Sequence, residues 1–149
     1  MPEYVLAQLN IAHLAASIDS PELAEFVDNL DPMNALAEAS PGFIWRLQTD
    51  DGNATALRPF GDDYIVNLSV WRDVESLFDY VYRSAHTPFL GRRKAWFKHM
   101  REPYTVLWWV PRGHHPDPSE AQRRLMQLRT EGPTQEAFTF KCRFPAPDA

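Results

Sequence analysis

DYIVNLSVWRDVESLF, residues Asp63 to Phe78, changes its period half-way along. Up to Trp71 the residues alternate. Tyr64, Val66, Leu68 and Val70 fall on one face, and Ile65, Asn67, Ser69 and Trp71 on the other. That is the two-residue period of a strand. From Asp73 the apolar residues move to helical spacing, with Val74, Leu77, Phe78, Val81 and Ala85 on one stripe. A strand therefore runs straight into an amphipathic helix. One face of the strand carries an asparagine, a serine and a tryptophan, where a packed core would prefer aliphatic residues. A part-polar, part-aromatic face suits a ligand cavity. The plainer reading is a polar network that fixes register.

Working outward, YVLAQLNI (Tyr4–Ile11) reads as the first strand, with Gln8 and Asn10 on one face and Ala7, Leu9 and Ile11 on the other. SPELAEFVDNLDPMNALAEAS reads as helix opened by Ser20 and Pro21, with a break expected at Pro32. PGFIWRLQT is the second strand. DDGNATALRPFGDD is a polar loop between the second and third strands. After the third strand and its helix, His86-Thr87-Pro88 marks a break, and PFLGRRKAWFKHM resumes as helix. YTVLWWV is the fourth strand. A helix follows with Asp117 as N-cap, Pro118 at its first position and Gly132 as C-cap. AFTFKCRF alternates Phe138, Phe140, Cys142 and Phe144 against Thr139, Lys141 and Arg143 and reads as a fifth strand, which makes Cys142 a small buried residue.

The order β-α-β-β-α-β, with one further helix and strand, predicts an α+β chain of the ferredoxin-like split βαβ type, in a single domain spanning residues 1–149. In this reading the helices cover the Val66 face of the sheet. The Asn67 face is then left for a partner subunit, which predicts a homodimer with two sheets face to face.

Composition narrows the function classes. The net charge of -5 lacks the basic stripe that nucleic acid demands. No apolar run approaches the roughly 20 residues that cross a bilayer, and MPEYVLAQLN lacks a signal-peptide pattern, so the expectation is a cytoplasmic protein away from membranes. The single cysteine excludes an intrachain disulfide. His114 and His115 are adjacent and point different ways, with no third ligand at suitable spacing, so no metal is expected there. Aromatic residues reach 13% of the chain, enough to line a pocket as well as fill a core, which points to a small hydrophobic or aromatic ligand.

RRKAWF (Arg92–Phe97), LWWVPRGHHPDPSEAQRRL (Leu107–Leu125) and GPTQEAFTFKCRF (Gly132–Phe144) resemble the signature of the bacterial domain of unknown function 3291 family. That resemblance covers nearly the whole chain and carries no assigned activity. More widely, NLSVW (Asn67–Trp71) is similar to the Asn-x-x-x-Trp pattern on the third strand of antibiotic-biosynthesis-type monooxygenases, within the dimeric α/β-barrel superfamily. The resemblance implies a dimeric α/β barrel and a cavity between sheet and helices. It further implies oxidation of an aromatic or polyketide-like molecule without metal or flavin, or a related cyclase or isomerase activity. It makes His86 the general base, Asn67 the partner of an oxyanion or peroxide, and Trp71 and Trp96 walls, with Arg93 holding substrate charge. Asn10, Trp45 and Trp109 complete the candidate substrate contacts. The inserted HTPFLGRRKAWFKHM departs from the small monooxygenases. A haem-binding variant would use Asn10, Trp71 and His86. The reading from a different class is a non-catalytic dimeric module that binds a small ligand or only assembles.

Overall fold

The computed structural model describes residues 3–48, 61, 64–83 and 96–147. The strand β1 (Tyr4–Leu14) is followed by a 3-10 turn (Pro21–Leu23), the short helix α1 (Ala24–Asp28) and α2 (Leu30–Ala39). Then come β2 (Phe43–Arg46), β3 (Tyr64–Trp71), α3 (Val74–Arg83), the two-residue β4 (Phe97–Lys98), β5 (Thr105–Pro111) and α4 (Pro118–Glu131). β1 is central. It pairs antiparallel with β3 along one edge, and with β5 and then β4 along the other, while β2 adds to the outer edge of β3. The order β2-β3-β1-β5 is that of the ferredoxin-like split βαβ fold.

Alternation divides the sheet into two faces, and each is buried by a different set of elements. Val5, Ala7, Leu9 and Ile11 of β1 join Val66, Leu68 and Val70 of β3 and Val106, Trp108 and Val110 of β5 on the first face. α4 covers it with Ala121, Leu125 and Leu128, spaced at four and then three residues on one helical stripe. α4 starts as its sequence dictates. Asp117 accepts a hydrogen bond from the Glu120 backbone N–H at 2.8 Å, Pro118 occupies the first turn, and Gly132 ends the helix at a positive φ of 78°.

The second face carries Leu6, Gln8, Asn10, Ile65, Asn67, Ser69, Trp71 and Leu107. It is covered from within the chain. Val74 and Leu77 of α3, Ala37 of α2 and Phe138 of the C-terminal segment pack on Leu6, Trp71 and Leu107. The Val66 face is covered by a helix as expected, but helices also lie on the Asn67 face, which was expected to be left to a partner subunit. α2 and α3 lie on the Asn67 side and α4 lies on the other.

Other expectations shift locally. The first helical segment breaks at Asn29 rather than Pro32, because Pro32 sits in the first turn of α2, where a missing N–H leaves no bond unmade; the first backbone bond of that helix is from Met33 to Asn29. Phe97 and Lys98 pair with Leu14 and His13 as strand instead of closing a helix. AFTFKCRF forms no ladder. Phe138 exchanges backbone bonds with Leu107 as an isolated bridge, and Cys142 is exposed. The polar loop at residues 50–63, apart from Gly61, and the His86–Pro88 break lie outside the described residues. No helix among the described residues is long and apolar enough to cross a membrane.

Candidate functional site

A cavity of about 610 Å³ lies between the second sheet face and the helices. Its floor is a polar row laid across two strands, β1 and β3. Gln8 stands opposite Ser69 and Asn10 opposite Asn67 in the β1–β3 ladder, so four polar side chains meet on one face. Gln8 Nε2 donates to Asn67 Oδ1 at 2.6 Å and to Ser69 Oγ at 2.8 Å, and Asn10 Nδ2 makes a longer contact with Gln8 Oε1 at 3.5 Å. Trp71 Nε1 donates to the same Ser69 oxygen at 2.9 Å. These bonds hold Asn67, an exposed residue that lines the cavity, by its side-chain carbonyl and leave the NH2 as its remaining donor group.

The roof and walls are apolar and aromatic. Leu77, Tyr80 and Val81 come from α3, Met33 from α2, Phe26 from α1, and Trp96 with Phe97 closes one end. Tyr80 stacks on Trp71 with ring centroids 5.3 Å apart, and its hydroxyl donates to the Met33 carbonyl at 3.1 Å. Burial pushes the Tyr80 phenol up to about 12, against a smaller opposing pull from the Arg46 charge. At neutral pH it is a proton donor, not a base. No histidine, aspartate or glutamate is among the described residues that line the cavity.

The candidates from sequence fall into separate places. Asn67, Asn10 and Trp96 line the cavity. Trp71 is 1% exposed and sits behind the floor, edge-on to Phe43 and stacked on Tyr80, so that it orients Ser69. Trp45 points to the opposite face and stacks on His115 at 4.7 Å. Trp109 is on the cavity side of the sheet, but its Nε1 is committed to the Phe144 carbonyl at 2.9 Å and it packs beneath the C-terminal segment. His86 and Arg93 lie outside the described residues.

Tyr80 and Arg46 are among the lining residues that escaped the sequence reading. Tyr80 follows Leu77 by three positions, so the α3 stripe contains it. Arg46 was hidden by a bulge. Phe43 pairs with Trp71, Trp45 with Val70 and Arg46 with Ser69, with the irregularity between Phe43 and Trp45. The extra residue puts Phe43 and Arg46 on the same face, against simple alternation.

The family described as a domain of unknown function, DUF3291, matches residues 5–149. The chain belongs to the DUF3291 family. Among solved structures, SnoaB, a cofactor-independent oxygenase from Streptomyces nogalater, is similar at 16% identity and a TM-score of 0.44, over 78% of this chain and 99% of that one. PA3566 from Pseudomonas aeruginosa is similar at 15% identity and a TM-score of 0.45, over 74% and 95%. No curated protein matches this DUF3291 chain.

Proposed function

We propose that this DUF3291 chain binds a planar aromatic or polyketide-like molecule in the cavity and oxygenates it without a metal, flavin or haem. The observation that carries the reading is the hydrogen-bonded row of Gln8, Asn67 and Ser69 along the floor of an otherwise apolar and aromatic cavity. The row fixes the Asn67 NH2 before any ligand arrives, and a fixed donor is what a developing oxyanion or peroxide requires. The Asn-x-x-x-Trp pattern of β3 supports the same chemistry.

In the proposed reaction a base takes a proton from the phenolic or enolic substrate. The resulting anion has an electron-rich carbon that reacts with dioxygen. The carbon-bound hydroperoxide then loses water, so a CH2 becomes a C=O, with one oxygen atom in the product and one in water. His86 is the proposed base. The apolar and aromatic walls equally suit a second reading, a non-catalytic module that holds the same class of ligand.

Oxygen uptake separates the two. With an anthrone as substrate, the wild-type chain consumes one dioxygen per carbonyl formed. Asn67→Ala lowers kcat by about 10²–10³-fold, the worth of one oxyanion donor. His86→Gln lowers it by about 10²–10⁴-fold. Saturable binding without oxygen uptake would establish the binding module instead. Full activity in His86→Gln would remove that residue as the base.

A further inference from the structure

We propose that Arg46 is the anion anchor of the cavity, and that the ligand carries an anionic oxygen, as an aromatic carboxylate or an ionised phenol or enol. This rests on the reading of the cavity as a small-molecule site and names the class of molecule it takes.

Arg46 is an arginine with an unmet donor. Arg46 lines the cavity, directly across the β2–β3 ladder from Ser69. Its side chain is only 13% exposed. A guanidinium carries five N–H donors and is charged at any working pH. Yet Arg46 Nε is buried with no hydrogen-bond acceptor. The one charge that faces Arg46 among the described residues is Glu38, at 3.6 Å, beyond hydrogen-bond range, with a side chain 48% exposed. A nearly buried guanidinium with unmet donors is among the least favourable groups a fold can keep, unless something else satisfies it. Nε itself is closed to the cavity, but an anionic oxygen there would meet the charge and the terminal N–H donors of the same guanidinium, which suit a carboxylate in particular. Tyr80, whose hydroxyl titration already feels the Arg46 charge, supplies an aromatic surface beside it. Asn67 supplies a neutral donor to a second oxygen of the same molecule. The cavity thus offers a charged anchor, a stacking wall and a polar contact to one planar acid.

The plain alternative is that Arg46 only ties β2 to α2 through Glu38. Calorimetric titration with a matched pair of probes distinguishes them. Anthraquinone-2-carboxylate and its methyl ester differ only in the negative charge, and neither can be oxidised further. The wild-type chain is expected to bind the acid at least tenfold more tightly than the ester. Arg46→Gln should weaken acid binding by about 10–100-fold and leave the ester unchanged, the loss expected for a charge-assisted hydrogen bond. Glu38→Gln keeps the test decisive if Arg46→Gln fails to fold. It removes the competing carboxylate from a half-exposed position and should tighten the acid by about 2–5-fold. The proposal is overturned if neither probe binds, if acid and ester bind alike, or if Glu38→Gln leaves acid affinity where it was. A clear preference for the acid without oxygen uptake on any substrate would reject the oxygenase and keep the anchor. Turnover of neutral phenols with no preference for the acid would do the reverse.

Discussion

At the scale of the residue, the site depends on which atoms are held and which are left to act. Tyr80 is held. Its hydroxyl is bonded to the Met33 carbonyl and its ring to Trp71, and burial raises its pKa to about 12 from the usual 10. A phenol that ionises less readily in the folded state keeps its proton while the unfolded chain gives it up. Its stabilising contribution is therefore complete below pH 10 and is lost as pH rises through about 12. Urea denaturation at about pH 9 and about pH 11.5 should show a larger alkaline loss for the wild type than for Tyr80→Phe. Equal losses would mean that Tyr80 titrates normally. The residues of this site were unevenly legible. Asn67, Ser69, Gln8 and Asn10 announced themselves as polar positions on otherwise apolar strands, and parity put them on one face. Arg46 did not, because a single extra residue between Phe43 and Trp45 reverses the parity on which that inference depends. A lone arginine in FIWRL was the one available signal, and exposed strand edges carry such residues commonly.

At the scale of the element, the helix and strand periods carried most of the fold. β1, β3, β5 and α4 follow from alternation and from the Asp117-Pro118 and Gly132 caps. The C-terminal phenylalanines misled, since alternation records which residues are buried and not what buries them. Phe140 packs edge-on to Phe78 and Tyr82 of α3, and Phe138 reaches the sheet through a single bridge, so the pattern belongs to a strap and not a ladder. The junction of β2 with α3 has a tighter requirement. Gly42 has a φ of +86°, and its carbonyl accepts from the Arg72 N–H at 2.7 Å. A methyl group there would come within 2.5 Å of Ser76 Cβ, in the first turn of α3. That turn is itself fixed by Asp73, which accepts from the Ser76 N–H at 2.8 Å. Burial pushes the Asp73 carboxyl up, but the bonds from Ser76 and Arg72 outweigh it and leave it below its ordinary value. Gly42→Ala should combine left-handed strain with overpacking and lower stability by about 2–4 kcal/mol. A loss below about 1 kcal/mol in chemical denaturation would show that α3 moves away from β2 freely.

At the scale of the whole molecule, the sheet is covered on both faces by its own chain, and among the described residues the second cover leaves a cavity over the polar row. Among the described residues three pieces make that cover: α1 with α2, α3, and the C-terminal strap. The strap is held to the sheet at two points. Phe138 exchanges backbone bonds of 2.8 Å each way with Leu107, and the Phe144 carbonyl accepts from Trp109 Nε1 at 2.9 Å. Between them, Thr139, Phe140 and Lys141 line the cavity. Phe138 is fully buried and Phe140 only partly so, which separates anchoring from lining. Phe138→Ala keeps the backbone bridge but opens a void beside Leu6 and Leu107, and should lower stability by about 3–5 kcal/mol. Its urea midpoint should fall while the slope stays constant, because the folded state remains as compact. Phe140→Ala removes part of a cavity wall and should alter ligand affinity more than stability. If Phe138→Ala is as stable as the wild type, the strap lies on the sheet without holding it. The cavity end it closes would then have to be defined by α3 and Trp96 alone.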